Sequence, residues 1–428
     1  MGVVPPVTTP HSLDTSPNGC PVSYGSPMEP DGPRVPIYTE EFAADWRAGY
    51  ARMRANNPSF AQVELSPGIP ATLVIGYDAA IRILNDPEHF PADPRIWQRG
   101  VPADCPLLPM MEWRPNALRN SGIDHTRFRA ANVWAIDGVD MHGMHSVVEQ
   151  IAIPLINSFC TEGRADIMAE YAHPLVFTSL NAMLGIEPDL AERVAAGMAA
   201  MFDSEADAEA GNIMLATALG ENVARKRAHP GDDITSRLIA HEANLDDEEV
   251  VHQLATLYGA GIEPQVHLVA NALLLMMTDD RFSGHVMGGA LGTRDALDWV
   301  LFNNPPMANY CISYPRQPIL IDGVWLPAHQ PVVISMAACN DDPKVRAGDR
   351  NGNRSHLSFS AGPHACPARQ LGYMIAQDGV DQFLDALPDV QLAVPYSDLR
   401  WRPGPFQHSL TALPVSFPPS PPLNGSFV

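Results

Sequence analysis

One cysteine near the end of the chain has a sequence context suited to chemistry. Cys366 follows a loop that contains Phe359, Gly362 and His364. Gly362 permits a turn with positive φ, and backbone N–H groups at the start of a helix, roughly from Ala368, would face the sulfur and stabilise its negative charge. Phe359 would shield that charge from water. The loop therefore predicts a thiolate that ligates a metal, although a lone cysteine more often only packs.

The loop resembles the haem-binding loop of cytochromes P450, in which a cysteine thiolate is the axial ligand of the iron. Further segments resemble bacterial members of this family and follow the same order along the chain. They are Gly76–Arg95, His125–Arg129, His229–Ile239 and Gly323–Pro343. The resemblance implies a mainly α P450 fold with small β-sheets around one buried haem b (iron protoporphyrin IX), with Cys366 as the metal ligand.

Basic side chains are expected where the two haem propionates lie. His125 and Arg129 are four residues apart, so they share one face of a predicted helix and can reach one propionate through charge-assisted hydrogen bonds; a solvated helix face is the alternative. His356 matches a position that commonly contacts the other propionate. The family's usual arginine falls at Ser313, which leaves Arg316 as a weaker candidate. The expected cofactor-binding residues are His125, Arg129, His356, Phe359, Gly362, His364, Cys366 and Ala368.

A long apolar pattern predicts the helix that would cross the open face of the haem. It begins near Asp246, where acidic residues suit a helix N-terminus, and continues to Met277. In its middle, Ala260 and Gly261 are small enough for a flat cofactor to approach closely. Pro264 lacks an N–H group and would clash with the carbonyl four residues earlier, so it predicts a kink.

The middle of this helix departs from the family pattern. The acid that helps to deliver protons during oxygen activation is retained as Glu263, but Pro264 stands where a threonine normally follows, and proline has no hydroxyl to take part in proton transfer. Gln265 could hold a water molecule, although an amide is a poor proton donor. We therefore expect impaired oxygen activation. The candidate catalytic residues are Glu263, Pro264, Gln265, Ala260 and Gly261.

A second departure concerns the Glu-x-x-Arg pair, which in the family ties one helix to the segment before the haem loop. Trp299 and Phe302 stand at its two positions, and Asp298 has Leu301 rather than an arginine three residues later. Replacing both buried charges by packed apolar groups can be neutral or stabilising, so a folded protein without this pair is expected. A minority of actinobacterial P450s lack the pair, and Pro106–Arg119 resembles that group.

Composition limits the partners of the chain. Its 428 residues carry a formal net charge of −22 and are 46% hydrophobic, which supports a large core and argues against nucleic acid and anionic membranes. None of the six cysteines forms a C-x-x-C pair, so neither zinc nor a redox dithiol is expected. There is no secretory signal pattern and no apolar run of about 18 residues. We expect a soluble, cytoplasmic protein with no membrane association.

Proline-rich ends suggest the domain limits. Residues 1–35 are rich in Pro, Gly, Ser and Thr and predict a flexible or extended arm, and residues 416–428 predict a similar tail. Residues 36–415 between them predict a single P450-type haem domain.

Two functions remain open at this level. The first is a monooxygenase or oxidative-coupling enzyme that acts on a small molecule or peptide, with electrons from a separate ferredoxin. The second is a haem protein that no longer oxygenates and serves as a sensor or regulator beside a GTPase or sensor-kinase module, since some P450s without the Glu-x-x-Arg pair are encoded beside such modules. The substrate cavity is expected to be walled by Met110, Met111, Trp113, Leu257, Ala260, Met307 and Phe406.

Overall fold

Helices dominate the fold. The computed structural model describes residues 33–203, 208–283, 291–346 and 353–423, so the expected arm at residues 1–35 lies almost wholly outside the described ranges. The α-helices within these ranges are α1 (Glu40–Ala44), α2 (Trp46–Asn56), α3 (Tyr77–Leu84), α4 (Leu108–Met111), α5 (Gly122–Asp137), α6 (Met141–Phe159), α7 (His173–Leu184), α8 (Pro188–Asp203), α9 (Ala208–Ala228), α10 (Ile234–Ala240), α11 (Asp247–Thr278), α12 (Asp280–Ser283), α13 (Thr293–Asn303), α14 (Met336–Asn340), α15 (Pro343–Arg346) and α16 (Arg369–Ala386).

The strands are short and form three small sheets. In chain order they are β1 (Val35–Pro36), β2 (Phe60–Ser66), β3 (Ile69–Val74), β4 (Arg164–Asp166), β5 (Asn309–Ser313), β6 (Ile319–Ile321), β7 (Val324–Leu326), β8 (Val332–Ser335), β9 (Gln391–Leu392) and β10 (Pro414–Ser416). The largest sheet has the order β1-β2-β3-β8-β5, with β1–β2 and β3–β8 parallel and the other pairs antiparallel. The others are β4-β10-β9 and the hairpin β6-β7. A mainly α fold with small sheets is therefore confirmed.

The long helix α11 begins with a complete capping box. The Asp246 side chain accepts a hydrogen bond from the Glu249 backbone N–H (2.8 Å), and the Glu249 carboxylate accepts one from the Asp246 N–H (3.0 Å), which satisfies two N-terminal donors. The helix continues through Pro264 to Thr278. It is long and apolar enough to cross a membrane, but 61% of its most apolar window is buried inside the fold, as in a core helix.

The main hydrophobic core surrounds α11. This helix packs against α7, α9, α13 and α16, and its buried side chains include Tyr258, Val266 and Leu273. Helix α16, which follows the cysteine loop, also packs against α6 and α13. Shared helix neighbours thus fix the cysteine loop relative to the middle of α11.

The described part of the proline-rich tail, residues 416–423, is extended and bonded to the end of α6. The Ser420 N–H donates to the Cys160 carbonyl (3.0 Å). Asn157 exchanges two hydrogen bonds with the Leu423 backbone, at 2.7 and 3.1 Å. This part of the tail is therefore docked on the haem-domain fold rather than free.

Candidate functional site

A glycine sets the shape of the loop that carries Cys366. Gly362 has a φ of +69°, which confirms the predicted turn, and a Cβ at this position would lie 2.1 Å from the Leu84 carbonyl oxygen. A side chain is therefore excluded by both conformation and space. The Cys366 N–H donates to the Phe359 carbonyl at 2.9 Å and closes the loop.

The Cys366 sulfur lines an internal void. Its side chain is exposed, yet burial is the main influence on the thiol and raises its pKa, while a hydrogen bond from the Ala368 N–H and the charge of Arg129 act in the opposite direction. A side chain that is accessible and also surrounded by protein faces a cavity. A metal ion bound at the sulfur would remove the thiol proton outright.

The middle of α11 borders open space. Gly259 and Ala260 are exposed although they lie in the centre of a core helix, and a Cβ added at Gly259 would meet no atom within 4 Å. The Gln265 side chain donates to the Gly372 carbonyl on α16 (2.7 Å). This bond joins α11 to the helix that follows the cysteine loop.

Two of the predicted helix residues face other groups. Gly261 does not line the void: a Cβ there would lie 3.0 Å from the Leu180 side chain, so its small size serves packing between α11 and α7. Gln265 is buried, and its amide is committed to Gly372. The expected water-holding role of Gln265 therefore has no support in its position.

A cluster of basic residues lies beside the cysteine loop. The His125 ring on α5 packs against the His364 ring, with centroids 4.0 Å apart, and Arg129 donates from Nη2 to the Ala365 carbonyl. Burial lowers the pKa of His125, and the charge of Arg129 lowers it further. Burial, followed by the charges of His125, Arg129 and Arg119, lowers the pKa of His364 to about 3. Both predicted propionate ligands, His125 and Arg129, lie beside the loop, and the structure adds His364 to them; their contact with a propionate stays a prediction.

His356 and Arg316 are not brought into this cluster. The His356 ring packs near Phe302 and Phe359, at centroid distances of 6.3 and 5.9 Å, and burial lowers its pKa to about 4. It lies between Phe302 of α13 and Tyr373 of α16, whereas His364 packs against His125 of α5. Arg316 is exposed at the surface.

Glu263 of α11 contacts two basic side chains, His267 and Arg402. Its carboxylate accepts from His267 Nε2 (3.1 Å) and lies 3.3 Å from Arg402 Nη2. Burial alone would raise the pKa of Glu263, but His267 and Arg402 together hold it below its ordinary value. Pro264 follows without a hydroxyl, so this carboxylate has no neighbouring alcohol to relay a proton.

An ion pair joins α13 to the segment before the cysteine loop, from positions other than those of the Glu-x-x-Arg pair. Arg354 Nε lies 2.8 Å from Asp298 Oδ2, the Tyr373 hydroxyl donates to Asp298 Oδ1, and Arg294 Nε lies 4.0 Å from the same carboxylate. The sequence predicted a fold without the Glu-x-x-Arg pair and gave no sign of this second pair, in which the acid stands one residue before Trp299 and the cation comes from another segment.

The two apolar replacements occupy different environments. Phe302 is 3% exposed and packs edge-on to His356. Trp299 is only partly buried, and the Arg281 guanidinium lies 5.6 Å from its ring centre. Phe302 therefore fills core volume, whereas Trp299 lies nearer the surface.

The residues around the void fit a haem. The sulfur of Cys366 is available as a metal ligand, and the small residues of α11 leave room for a flat group. Beside them, His125 Nε2 and Ser313 Oγ are buried and have no hydrogen-bond partner among the described residues. Such orphaned polar atoms are rare in folded proteins, and the anionic propionates of haem would supply acceptors for them.

Comparisons with known proteins agree with this arrangement. No family model matches the chain. Cytochrome P450 monooxygenase PikC of Streptomyces venezuelae is 28% identical over 395 residues, covering 88% of this chain and 92% of that protein. The 2-hydroxy-5-methyl-1-naphthoate 7-hydroxylase of Streptomyces carzinostaticus is 26% identical, covering 89% and 97%. The solved structure of CYP154C4 from Streptomyces sp. W2061 matches with a TM-score of 0.81 at 25% identity, over 92% of this chain and 100% of that one.

The fold, the cysteine loop and the cluster of basic residues fit a haem-thiolate protein. The chain belongs to the cytochrome P450 superfamily, as do the curated relatives and structural neighbours across nearly its whole length. Haem b is accordingly its cofactor.

Sequence reasoning missed several residues that the structure brings to the site. Asp298 and Arg354 lie 56 positions apart, and no local spacing indicates such a pair. His267 follows Glu263 by four residues, so helical periodicity could have predicted their contact. Arg119 drew attention only as the last residue of Pro106–Arg119, the segment that resembles P450s without the Glu-x-x-Arg pair. An arginine among apolar residues could have been predicted as a buried cation.

Proposed function

We propose that the protein is a haem-thiolate monooxygenase that oxidises a small organic substrate in the cytoplasm, with electrons from a separate ferredoxin. The observation that carries the proposal is the accessible sulfur of Cys366 on a loop that leads into α16, a helix that packs against α11. Relatives that match across most of the chain are P450 monooxygenases, and one is named for hydroxylating a naphthoate, an aromatic carboxylate.

Each residue near the void has a defined task in this function. With its thiolate ligand, haem b supplies the chemistry of O–O bond cleavage. Cys366 provides the ligand, and the Ala368 N–H stabilises its negative charge. His125, Arg129 and His364 hold the propionates through charge-assisted hydrogen bonds. Phe359, which closes the loop through its carbonyl, shields the sulfur from water.

The proton path of this protein differs from that implied by the family pattern. Glu263 holds its negative charge beside His267 and Arg402. These two partners stabilise the ionised carboxylate and therefore oppose its protonation from solvent. Pro264 offers no hydroxyl to pass the proton onward. We infer that water or a group on the substrate completes the path.

The test is turnover with a complete electron supply. The holoprotein is combined with NADPH, a bacterial ferredoxin and ferredoxin reductase, and a panel of macrolide, steroid and aromatic compounds. Formation of a hydroxylated product that requires all components supports the proposal. Intact haem with no product from any class would favour the non-oxygenating alternative, which rests on Pro264 and Phe302 and has no support from the comparisons.

A further inference from the structure

Arg119 is a buried charge without a charged partner. Among the described residues, three aspartates and one arginine are buried, and no lysine is: Asp233, Asp298, Asp342 and Arg119. Each aspartate has a cationic nitrogen within 4.0 Å; the pairs are Asp233 with Lys226, Asp298 with Arg354 and Asp342 with Arg54. No carboxylate in the described ranges lies within that distance of Arg119. Because an unpaired buried charge is strongly unfavourable, this exception calls for an anion that is not part of the chain.

The contacts of Arg119 satisfy it only in part. Its Nη2 donates to the Met110 carbonyl and, at 2.8 Å, to the Tyr310 hydroxyl, and the guanidinium lies 5.6 Å from the centre of the Tyr310 ring. These groups are neutral. In the part of the chain that the structure describes, Nε and Nη1 have no hydrogen-bond acceptor. Nε and Nη1 lie on different edges of the guanidinium, and each remains available to donate a charge-assisted hydrogen bond to an anionic oxygen.

The surroundings of Arg119 place it at the edge of the void. Its hydrogen bonds to Met110 of α4 and Tyr310 of β5 place the guanidinium between these two elements, and its charge helps to lower the pKa of His364 on the cysteine loop. On its other side, the Tyr310 ring packs edge-on to Phe406 at 5.6 Å, and Met110 and Phe406 are two of the predicted substrate walls. Arg119 therefore borders both the cofactor and the substrate space.

We propose that Arg119 is a carboxylate-binding residue of the haem cavity. The carboxylate has two sources with the same chemistry: a haem propionate, or an acidic group on the substrate. Ser313, where the family usually has its propionate arginine, carries no charge and has a buried hydroxyl with no partner, which leaves this role open for Arg119. The inference rests on the proposed function, since the cavity is assigned to haem there.

The first experiment tests the propionate as the source. Haem loss from the holoprotein to excess apomyoglobin is timed for the parent, Arg119→Gln and Arg119→Met, with Arg127→Gln as the matched control on α5. Loss of a charge-assisted pair should speed haem release by about tenfold to a hundredfold, and the control should match the parent. Reconstitution with haem dimethyl ester, which has no carboxylates, should abolish the difference between parent and variants.

The second experiment tests a substrate carboxylate. Affinities of the holoprotein for dodecanoate and for naphthoate are measured by calorimetry against their primary amides, which have similar shape and no charge. If Arg119 binds the substrate, both variants should weaken binding of the acids by about tenfold or more and leave the amides unchanged.

The outcomes separate this inference from the proposed function. A change in either experiment supports it and identifies the source of the carboxylate. Unchanged haem release and unchanged acid affinity in variants with a normal reduced-CO spectrum overturn it, while the haem-thiolate function stands. Arg119→Met guards against misfolding of the Gln variant, because an apolar side chain in place of an unpaired buried charge is tolerated. If neither variant folds, equal affinity of the parent for haem and its dimethyl ester, together with equal affinity for acids and amides, overturns the inference.

Discussion

Arg354 Nε lies 2.8 Å from Asp298 Oδ2, and this pair ties helix α13 to the segment that leads into the cysteine loop. The Tyr373 hydroxyl of α16 donates to the same carboxylate, and the Arg294 guanidinium lies 3.6 Å from the centre of the Tyr373 ring. The network therefore connects α13, α16 and the chain segment that contains Arg354. It supplies the tie that the Glu-x-x-Arg pair provides in the family pattern, from different positions.

Removal of the carboxylate should weaken this tie. Asp298 is buried, so Asp298→Ala leaves the Tyr373 hydroxyl without its acceptor and should lower the free energy of unfolding by about 1–3 kcal/mol. Haem release should also become faster, because the loop loses its anchor. Urea unfolding of the holoprotein measures the first effect, with the exposed Asp398→Ala as control. An unfolding midpoint equal to that of the parent would show that the network does not support the loop.

Phe302 should not tolerate the charge that the family pattern has at its position. Phe302→Arg places a cation in a 3% exposed site. Asp298 lies four residues earlier on the same helix, a spacing that allows pairing, but its two carboxylate oxygens are already bonded to Arg354 and Tyr373. We expect a loss of about 3 kcal/mol or more, as for an uncompensated buried charge, whereas Phe302→Leu should cost less. Thermal melting measures both variants. Equal melting temperatures for Phe302→Arg and the parent would mean that the site reaches solvent.

His408 should make the fold sensitive to acid. Its ring stacks on Trp401 at 3.9 Å, and Nδ1 lies 2.7 Å from Asn304 Oδ1. Burial, then the charges of Arg47 and His267, lower its pKa to about 3, below the unfolded value of about 6.5. The unfolded chain therefore binds the proton more readily, so this contribution to stability is complete above pH ~6.5 and is lost as the pH falls toward ~3.

The size of this effect can be measured by difference. Between about pH 7 and pH 5, His408 should account for about 2 kcal/mol of the fall in the free energy of unfolding. His408→Phe keeps the stacked ring and removes the proton site, so its stability should decline less over this interval than that of the parent. Parallel pH curves for the two proteins would refute the assignment.

Pro264 should leave oxygen activation poorly coupled to product formation. Without a hydroxyl beside Glu263, electrons drawn from NADPH should appear largely as hydrogen peroxide. Pro264→Thr should raise the ratio of product to NADPH if the remaining proton path is intact, and Pro264→Ala, which removes the proline without adding a hydroxyl, is its control. Tight coupling in the parent would show that water or the substrate replaces the missing group. Equal gains in both variants would assign the defect to backbone geometry instead.

Local patterns predicted the parts of this molecule that depend on neighbouring residues. The Asp246 capping box, the length of α11 and the positive φ of Gly362 follow from spacing and residue type alone. The family resemblance supplied the fold class and the cofactor, which periodicity could not.

The sequence did not predict contacts between segments that are far apart in the chain. The role of Gly261 in packing against Leu180 could not be told from a role beside a cofactor, since both require a small residue. The Asp298–Arg354 pair and the position of His364 beside His125 depend on how loops return to the helices, and the chain carries no spacing that encodes those returns.

The ligand assignment is tested most directly by the reduced-CO difference spectrum of Cys366→Ala, with Cys105→Ala as the matched control. Cys105 is also a free cysteine, but it is buried and lies outside the loop. The parent and the control should both show the red-shifted Soret band of thiolate-ligated haem, and Cys366→Ala should lack it. A variant that keeps this band without Cys366 would contradict the account, because another residue would then supply the thiolate.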